Sequence, residues 1–292
     1  MDLLWEGLKN GLALGSIYAL IALGYSMVYG IVKMINFAHS EFITIGGFVA
    51  YYLADKVLVP VMGKKVGTVL LCLLASIVVC VIIGVLTERF AYRPLRKKKS
   101  TRINALITAI GVSYVLSGIL NAINSEQMEL PRFFSTNVAF IISIVVTAIL
   151  LIGLTLFVKK TKLGIAMRAV SENESAAKLM GINDNFIISL TFIIGSALAA
   201  IGVLIYLIRS PFFRFTIGSE TIGLYPFVAA VVGGIGSLPG AVLGGFLIGI
   251  LQELTAVLGV GEWVQVIIYG IFVVILLFKP AGILGKDIRE KV

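Results

Sequence analysis

Apolar residues run along this chain in blocks of about twenty, and the polar residues collect between them. The clear blocks lie at roughly 8–32, 66–86, 103–123, 138–158, 186–208, 239–258 and 262–278. About 20 apolar residues wound as a helix cross the ~30 Å hydrocarbon core of a bilayer, so each block predicts one crossing. Ten-residue stretches of strict alternation, the mark of a membrane barrel, are missing from the sequence. Helices must therefore satisfy the backbone internally. Two further stretches are ambiguous: residues 35–54 are apolar but carry His39 and Glu41, and 222–236 is short and rich in glycine. Each either crosses fully or enters as a broken helix buried among its neighbours. The expectation is an all-α polytopic membrane protein with a single transmembrane domain over 1–292. It is a bundle of about eight helices (eight or nine crossings), with broken or re-entrant segments as the alternative at those two places.

The longest interruption of the pattern is KKTKLGIAMRAVSENESAAKLMGINDN at 159–185. Lys159, Lys160 and Lys162 stop the preceding span, and Gly164 loosens the chain after them. Ser171, followed three residues later by Glu174, reads as a capping box in which the hydroxyl accepts an early backbone N–H and the carboxylate reaches back. This predicts a helix from about Glu172 to Met180, stopped by Gly181. Ala176, Ala177 and Met180 would form a small apolar face, with Lys178 toward water. So short a helix is unstable alone. It needs either the membrane surface and the chain's own spans, or a soluble partner.

Composition agrees with the membrane assignment: 59% of residues are hydrophobic, 13% are charged and the mean hydropathy is +1.05, whereas soluble domains are about one quarter charged. The net charge of +9 reports orientation here, because the basic residues flank the spans; no nucleic-acid partner is expected. Segment 88–102 carries seven Lys or Arg against one Glu, 159–185 five against three acids, and 279–292 four against two. Segment 124–137 has one Arg with two Glu, and 209–220 two Arg with one Glu. The positive-inside bias makes the first three cytoplasmic. Two spans separate 88–102 from 159–185, and four separate that segment from the tail if 222–236 crosses. A crossing at 35–54 then places the N-terminus outside, together with Lys56, Lys64 and Lys65. The start, MDLLWEGLKNG, is acidic before it is basic and no A-x-A exit follows, so no cleavable signal is expected. Cys72 and Cys80 share one apolar block and the chain has a single histidine, which suggests neither a disulfide nor a metal site.

Three segments carry a resemblance to a known family: GSIYALIALGYSMVYGIVKMINFAHSEFITIGGF at 15–48, GIAMRAVSENESAAKLMGI at 164–182 and FVAAVVGGIGSLPGAVLGGFLIG at 227–249. With INFAH at 35–39 just ahead of Glu41, the chain resembles the membrane permease subunits of ATP-driven, high-affinity branched-chain amino acid importers. Of the two permeases in such importers, it resembles the first, and over nearly its whole length. The resemblance implies that 159–185 is the coupling element that sits in a cleft of the ATPase, with Ser171, Glu174, Ala176, Ala177, Met180 and Gly181 as coupling residues. The wider importer signature is E-A-A, three residues, then Gly. Ala176, Ala177 and Gly181 fit it, while Ser175 takes the glutamate position, Glu174 is one residue early and the later Leu-Pro is missing.

The same resemblance implies a bacterial inner-membrane location and three kinds of partner. These are two cytoplasmic ATPase subunits, an extracytoplasmic solute-binding protein and a second related permease, with a heterodimer favoured over a homodimer. No G-x-x-x-x-G-K-[ST] occurs in the chain, so ATP hydrolysis is expected in separate subunits. The chain itself is expected to be a non-catalytic permease without cofactor. The implied cargo is leucine, isoleucine or valine; relatives carry other small solutes such as urea.

Within the spans, Asn36, His39, Glu41 and Glu253 are candidates for the translocation path or its gate, because polar and ionisable groups in a bilayer are costly. A plainer interpretation keeps the first three at an interface, with Asn36 capping a helix, His39 bonded to a loop and Glu41 favouring a helix N-terminus. Glu253, beside Gln252, is expected to pair across the bundle or line a wet passage. Gly11 and Gly15, Gly240 and Gly244, and Gly245 and Gly249 have the small-xxx-small spacing of closely packed helices. Alternatively, 222–240 breaks near the midplane and turns backbone dipoles toward a zwitterion. An ion-coupled secondary transporter would need a matching acidic site in each of two repeats, and Glu253 has no evident counterpart. A membrane enzyme would need a nucleophile–base pair or a metal cluster, and none stands out.

Overall fold

The computed structural model describes residues 2–98, 100–123 and 126–285. Lys286 to Val292, the end of the basic tail, lie outside the described residues. The chain winds into α1 (Asp2–Val32), α2 (His39–Met62), α3 (Val66–Lys97), α4 (Arg102–Ile123) and α5 (Thr136–Lys160). Two short polar helices follow, α6 (Lys162–Glu172) and α7 (Glu174–Leu179). Then come α8 (Asp184–Arg209), α9 (Thr221–Gly234), α10 (Leu238–Val257) and α11 (Val264–Phe278). Among the described residues, eight helices are long and apolar enough to cross a membrane: α1 to α5, α8, α10, and α11 with the 3₁₀ turn Gly261–Trp263 ahead of it. π-Helical stretches at Leu53–Leu58 and Glu88–Tyr92 interrupt α2 and α3.

Both ambiguous stretches now have a form. Residues 35–54 contribute a full-length helix that begins only at His39. Residues 222–236 do not cross alone, because the 14 residues of α9 span about 21 Å at 1.5 Å each. The chain ahead of α9 is extended: Phe212–Phe213 (β2) pairs antiparallel with Met128–Glu129 (β1). Beyond it, the Gly218 N–H donates to Thr44 Oγ1 of α2 at 3.0 Å. Residues 210–234 therefore enter as strand and turn and leave as helix, which is the broken form. Such backbone is tolerated at depth because protein encloses it; Phe213 is fully buried against Gly47 and Phe48.

The glycine pairs explain why α1, a first helix, occupies the centre of the bundle. A methyl added at Gly11 would lie 2.8 Å from the Ile250 Cα, and one at Gly15 would lie 2.7 Å from the Phe246 Cα. Gly245 and Gly249 press back on Ala19 and Gly15, so α1 and α10 run antiparallel with their backbones nearly touching. Gly240 and Gly244 point the other way, against Gly233 and Ala229 of α9. One helix thus carries two small-residue ridges, each matched to a different neighbour.

The basic segments gather at one end of the bundle. There the Tyr92 hydroxyl donates to Asn36 Oδ1 at 2.9 Å, Arg93 Nε to Asn185 Oδ1 at 3.1 Å, and the Gly236 N–H to Ser26 Oγ at 2.9 Å. The α1–α2 connection dips back from this end. The His39 imidazole lies against Gly24, eight residues before the last residue of α1, or about 12 Å along its axis. Lys33, with φ of 57°, makes the reversal.

Candidate functional site

Three groups of the predicted residues occupy three separate places. At the basic end, 159–185 forms two helices where one was expected. Gly164 does not loosen the chain: it sits in the first turn of α6, where a side chain would strike the Phe157 and Val158 carbonyls. Thr161 caps that helix, its hydroxyl accepting the Gly164 N–H at 3.0 Å. The expected Ser171–Glu174 capping box is also absent. Ser171 lies inside α6 and donates to the Gly30 carbonyl of α1 at 2.5 Å. Asn173 takes the capping role for α7, with Oδ1 accepting the Ala176 N–H at 3.0 Å. Glu174, released from the box, pairs with Lys178 one turn later at 2.9 Å. The C-terminal stop is where it was expected. Gly181 adopts φ of 80°, its N–H reaches the Lys178 carbonyl, and the Ile182 N–H reaches that of Ala177, the pattern of a Schellman motif.

The apolar face of α7 divides in two. Ala177 is buried against the bundle, while Ala176 is exposed and Leu179 and Met180 are 90% and 82% exposed. Lys178 bridges from Glu174 to Asp184 of α8 at 3.0 Å, and those two carboxylates, Glu174 first, hold its ammonium above the usual lysine range. Asp184 lies 3.9 Å from Arg96, which pairs with Glu88 at 2.6 Å. Glu88 also accepts from Ser189 at 2.9 Å. A continuous line of charges therefore ties α7 to α8 and to the end of α3. Its members Glu88, Arg96 and Asp184 were not singled out in the sequence, where they are spread over nearly a hundred positions.

At the start of α2, Asn36, His39 and Glu41 are all buried. The interfacial interpretation fails for two of them. Asn36 caps nothing, since α2 has Ala38 at its N-cap without a side-chain bond; it accepts from Tyr92 instead. His39 packs edge-on against Tyr25, with ring centroids 4.4 Å apart, rather than bonding a loop. Glu41 does lie in the first turn of the helix. Its Oε1 accepts from Ser113 of α4 at 3.1 Å, while Oε2 is buried with no hydrogen bond of good geometry. Of the neighbouring hydroxyls, Ser40 donates to the Phe37 carbonyl and Thr44 Oγ1 accepts the Gly218 N–H. Glu41 lines a cavity of about 230 Å³ together with Ser40, Ser113, Ser117, Gly218 and Ser219. Ser113 and Gly218 left no signal in the sequence, one lying in an apolar block and the other in a polar turn.

Glu253 belongs to neither place. It pairs with Arg209 at 2.8 Å, tying α10 to the end of α8, and its neighbour Gln252 accepts from the Tyr18 hydroxyl at 2.6 Å.

The bundle, the two helices of 159–185 and the glycine contacts can now be set beside known proteins. A family model described as branched-chain amino acid transport system / permease component matches residues 7–276. The chain belongs to this family. Among members of it, the high-affinity branched-chain amino acid transport system permease protein BraD of Pseudomonas aeruginosa is 40% identical over 98% of this chain and 97% of its own length. The permease LivH of Escherichia coli K12 is 39% identical over 97% of this chain and 96% of its own. A probable branched-chain amino acid transport permease of Methanocaldococcus jannaschii is 28% identical over 97% and 93%. No solved structure matches the chain.

Proposed function

We propose that this permease is the translocation subunit of an ATP-driven importer for leucine, isoleucine and valine in a bacterial inner membrane. The observation that carries it is the exposed Leu179–Met180 tip of α7, presented at the basic end of a chain that matches the permease family over nearly its full length. Under the positive-inside bias that end faces the cytoplasm, where the ATPase subunits stand. Large apolar side chains projecting into water are unfavourable unless something covers them. Here they flank a rigidly capped helix that Ser171 and Lys178 bind to the bundle. Two ATPase subunits, a second related permease in a heterodimer and an extracytoplasmic binding protein complete the importer. ATP binding would draw the ATPases together, move α6–α7, and through Gly30 and the Glu88–Arg96–Asp184 line change which end of the bundle is open. Differential affinity of the partners for the two states supplies the work.

Reconstitution of the permeases with their ATPases in vesicles, with the binding protein supplied at its own face, tests this. Uptake of leucine is expected to need ATP and to survive collapse of ion gradients. Uptake that follows an ion gradient and ignores ATP would overturn the assignment.

A further inference from the structure

Within the bundle, the cavity beside Glu41 combines features that a transported amino acid would need. On one wall stands a buried carboxyl with Oε2 unpartnered. On the other is the turn into α9: Gly218 and Ser219, just ahead of the helix, and Leu224 of its first turn line the same cavity, and Glu220 at the N-cap position supplies no side-chain cap. The start of a helix carries the positive end of its dipole, which favours an anion. Broken helices near the midplane use such ends to hold substrate carboxylates. The remaining wall is apolar, with Tyr25, Phe37, Ile110 and Phe227. The volume, about 230 Å³, equals on the order of eight waters at ~30 Å³ each, the scale of one small molecule.

We infer that this cavity is a transit site for a free α-amino acid, with Glu41 receiving the ammonium, the start of α9 receiving the carboxylate and the apolar wall receiving the side chain. The inference rests on the proposed importer function and adds the place where the permease itself holds the cargo. Depth supports it. Glu41 follows the dip of the α1–α2 connection into the bundle, and the Thr44–Gly218 bond fixes α2 to the break before α9. A membrane-buried carboxyl with an unmatched oxygen is expensive unless a cation visits it. Ser113 shares one oxygen and leaves the other for the ligand.

The test is leucine uptake and ATP hydrolysis by the complete importer in vesicles, with wild type, Glu41→Gln and Glu41→Asp compared. Glu41→Gln keeps the size and can still accept from Ser113 but has no charge for the ammonium. Leucine delivered per ATP hydrolysed is expected to fall about 10- to 100-fold, as loss of a charge-assisted hydrogen bond implies. ATP hydrolysis stimulated by loaded binding protein should persist. Glu41→Asp, which keeps the charge, should restore a substantial part of the coupling. Wild-type coupling in Glu41→Gln would overturn the transit site. So would loss of uptake and stimulated hydrolysis together in both variants, because that assigns Glu41 to holding the fold. Failure of the parent importer function shows itself separately: the wild-type importer would then take up no branched-chain amino acid with ATP, and the transit site would fall with it.

Discussion

Gly249 has space for a hydrogen and nothing more. A side chain there meets the backbone of Gly15 at the centre of the bundle, so Gly249→Leu must push α10 off α1 rather than turn a rotamer aside. Overpacking of this kind costs about 1–3 kcal/mol and sometimes more. Thermal unfolding of the detergent-solubilised permease should show a clearly lower midpoint. Gly118 of α4 is the control, because a methyl there meets nothing within 4 Å and the helix gains about 0.5–1 kcal/mol from replacing glycine with alanine. Gly118→Ala should hold or raise the midpoint. Equal effects at the two positions would mean that glycine spacing does not set the α1–α10 distance. The spacing of Gly245 and Gly249 was legible in the sequence because a four-residue interval is a property of one helix. Glu41 was also legible, as an acid within an apolar run. Its partners Ser113 and Gly218 were not, since nothing local distinguishes a serine that faces a carboxyl across the bundle from one that faces lipid.

The same limit operates on the scale of an element. Ser171 and Asn173 are both good capping residues, and the interval from Ser171 to Glu174 favoured the serine. What decides between them is the Gly30 carbonyl, 141 positions away, which captures the Ser171 hydroxyl and leaves Asn173 to start α7. One expected helix becomes two, with a bend at Asn173. The stop at Gly181 is legible in the sequence because a positive φ is a local demand that glycine meets without strain. The bend aims α7 so that Ala177 faces inward and Leu179 outward, and it separates two roles that the sequence merges. Leu179→Asp should therefore leave the unfolding midpoint within about 0.5 kcal/mol of wild type, as surface changes usually do. Co-purification of the ATPase subunits and ATP-dependent uptake should be strongly reduced. Ala177→Arg should instead lower the midpoint as well, since it forces a charge against the bundle. If Leu179→Asp binds the ATPases normally, the exposed tip is not the contact.

On the scale of the whole molecule, the described residues hold eight helices of spanning length and one broken passage; counted as nine crossings, the number is odd. The start of α1 and the end of α11 then lie on opposite sides. The N-terminus shares a side with Lys64 and Lys65, against the simplest application of the positive-inside bias at that end of the chain. The larger basic segments outweigh them: 88–102 and 159–185 hold twelve Lys or Arg together, and the structure brings both to one end. Cysteine labelling checks the count. Cys72 and Cys80 are free and buried, so replacing them with alanine gives a background for single reporters. With a membrane-impermeant maleimide on sealed right-side-out membrane vesicles, Lys64→Cys and Arg132→Cys should label directly. Leu179→Cys should label only after the membrane is opened. Ser219→Cys, at the break before α9, should label from the outer side more slowly than Arg132→Cys, because the strand and turn carry it inward. If Lys64→Cys and Leu179→Cys label from the same side, the number of passages between them is even; one of α3, α4 and α5 would then have to be reassigned. The parity matters for mechanism, because a broken passage with Gly218 bonded to α2 and Gly236 against Gly30 runs from the Glu41 cavity, through α9, to the residue of α1 that Ser171 of α6 also bonds.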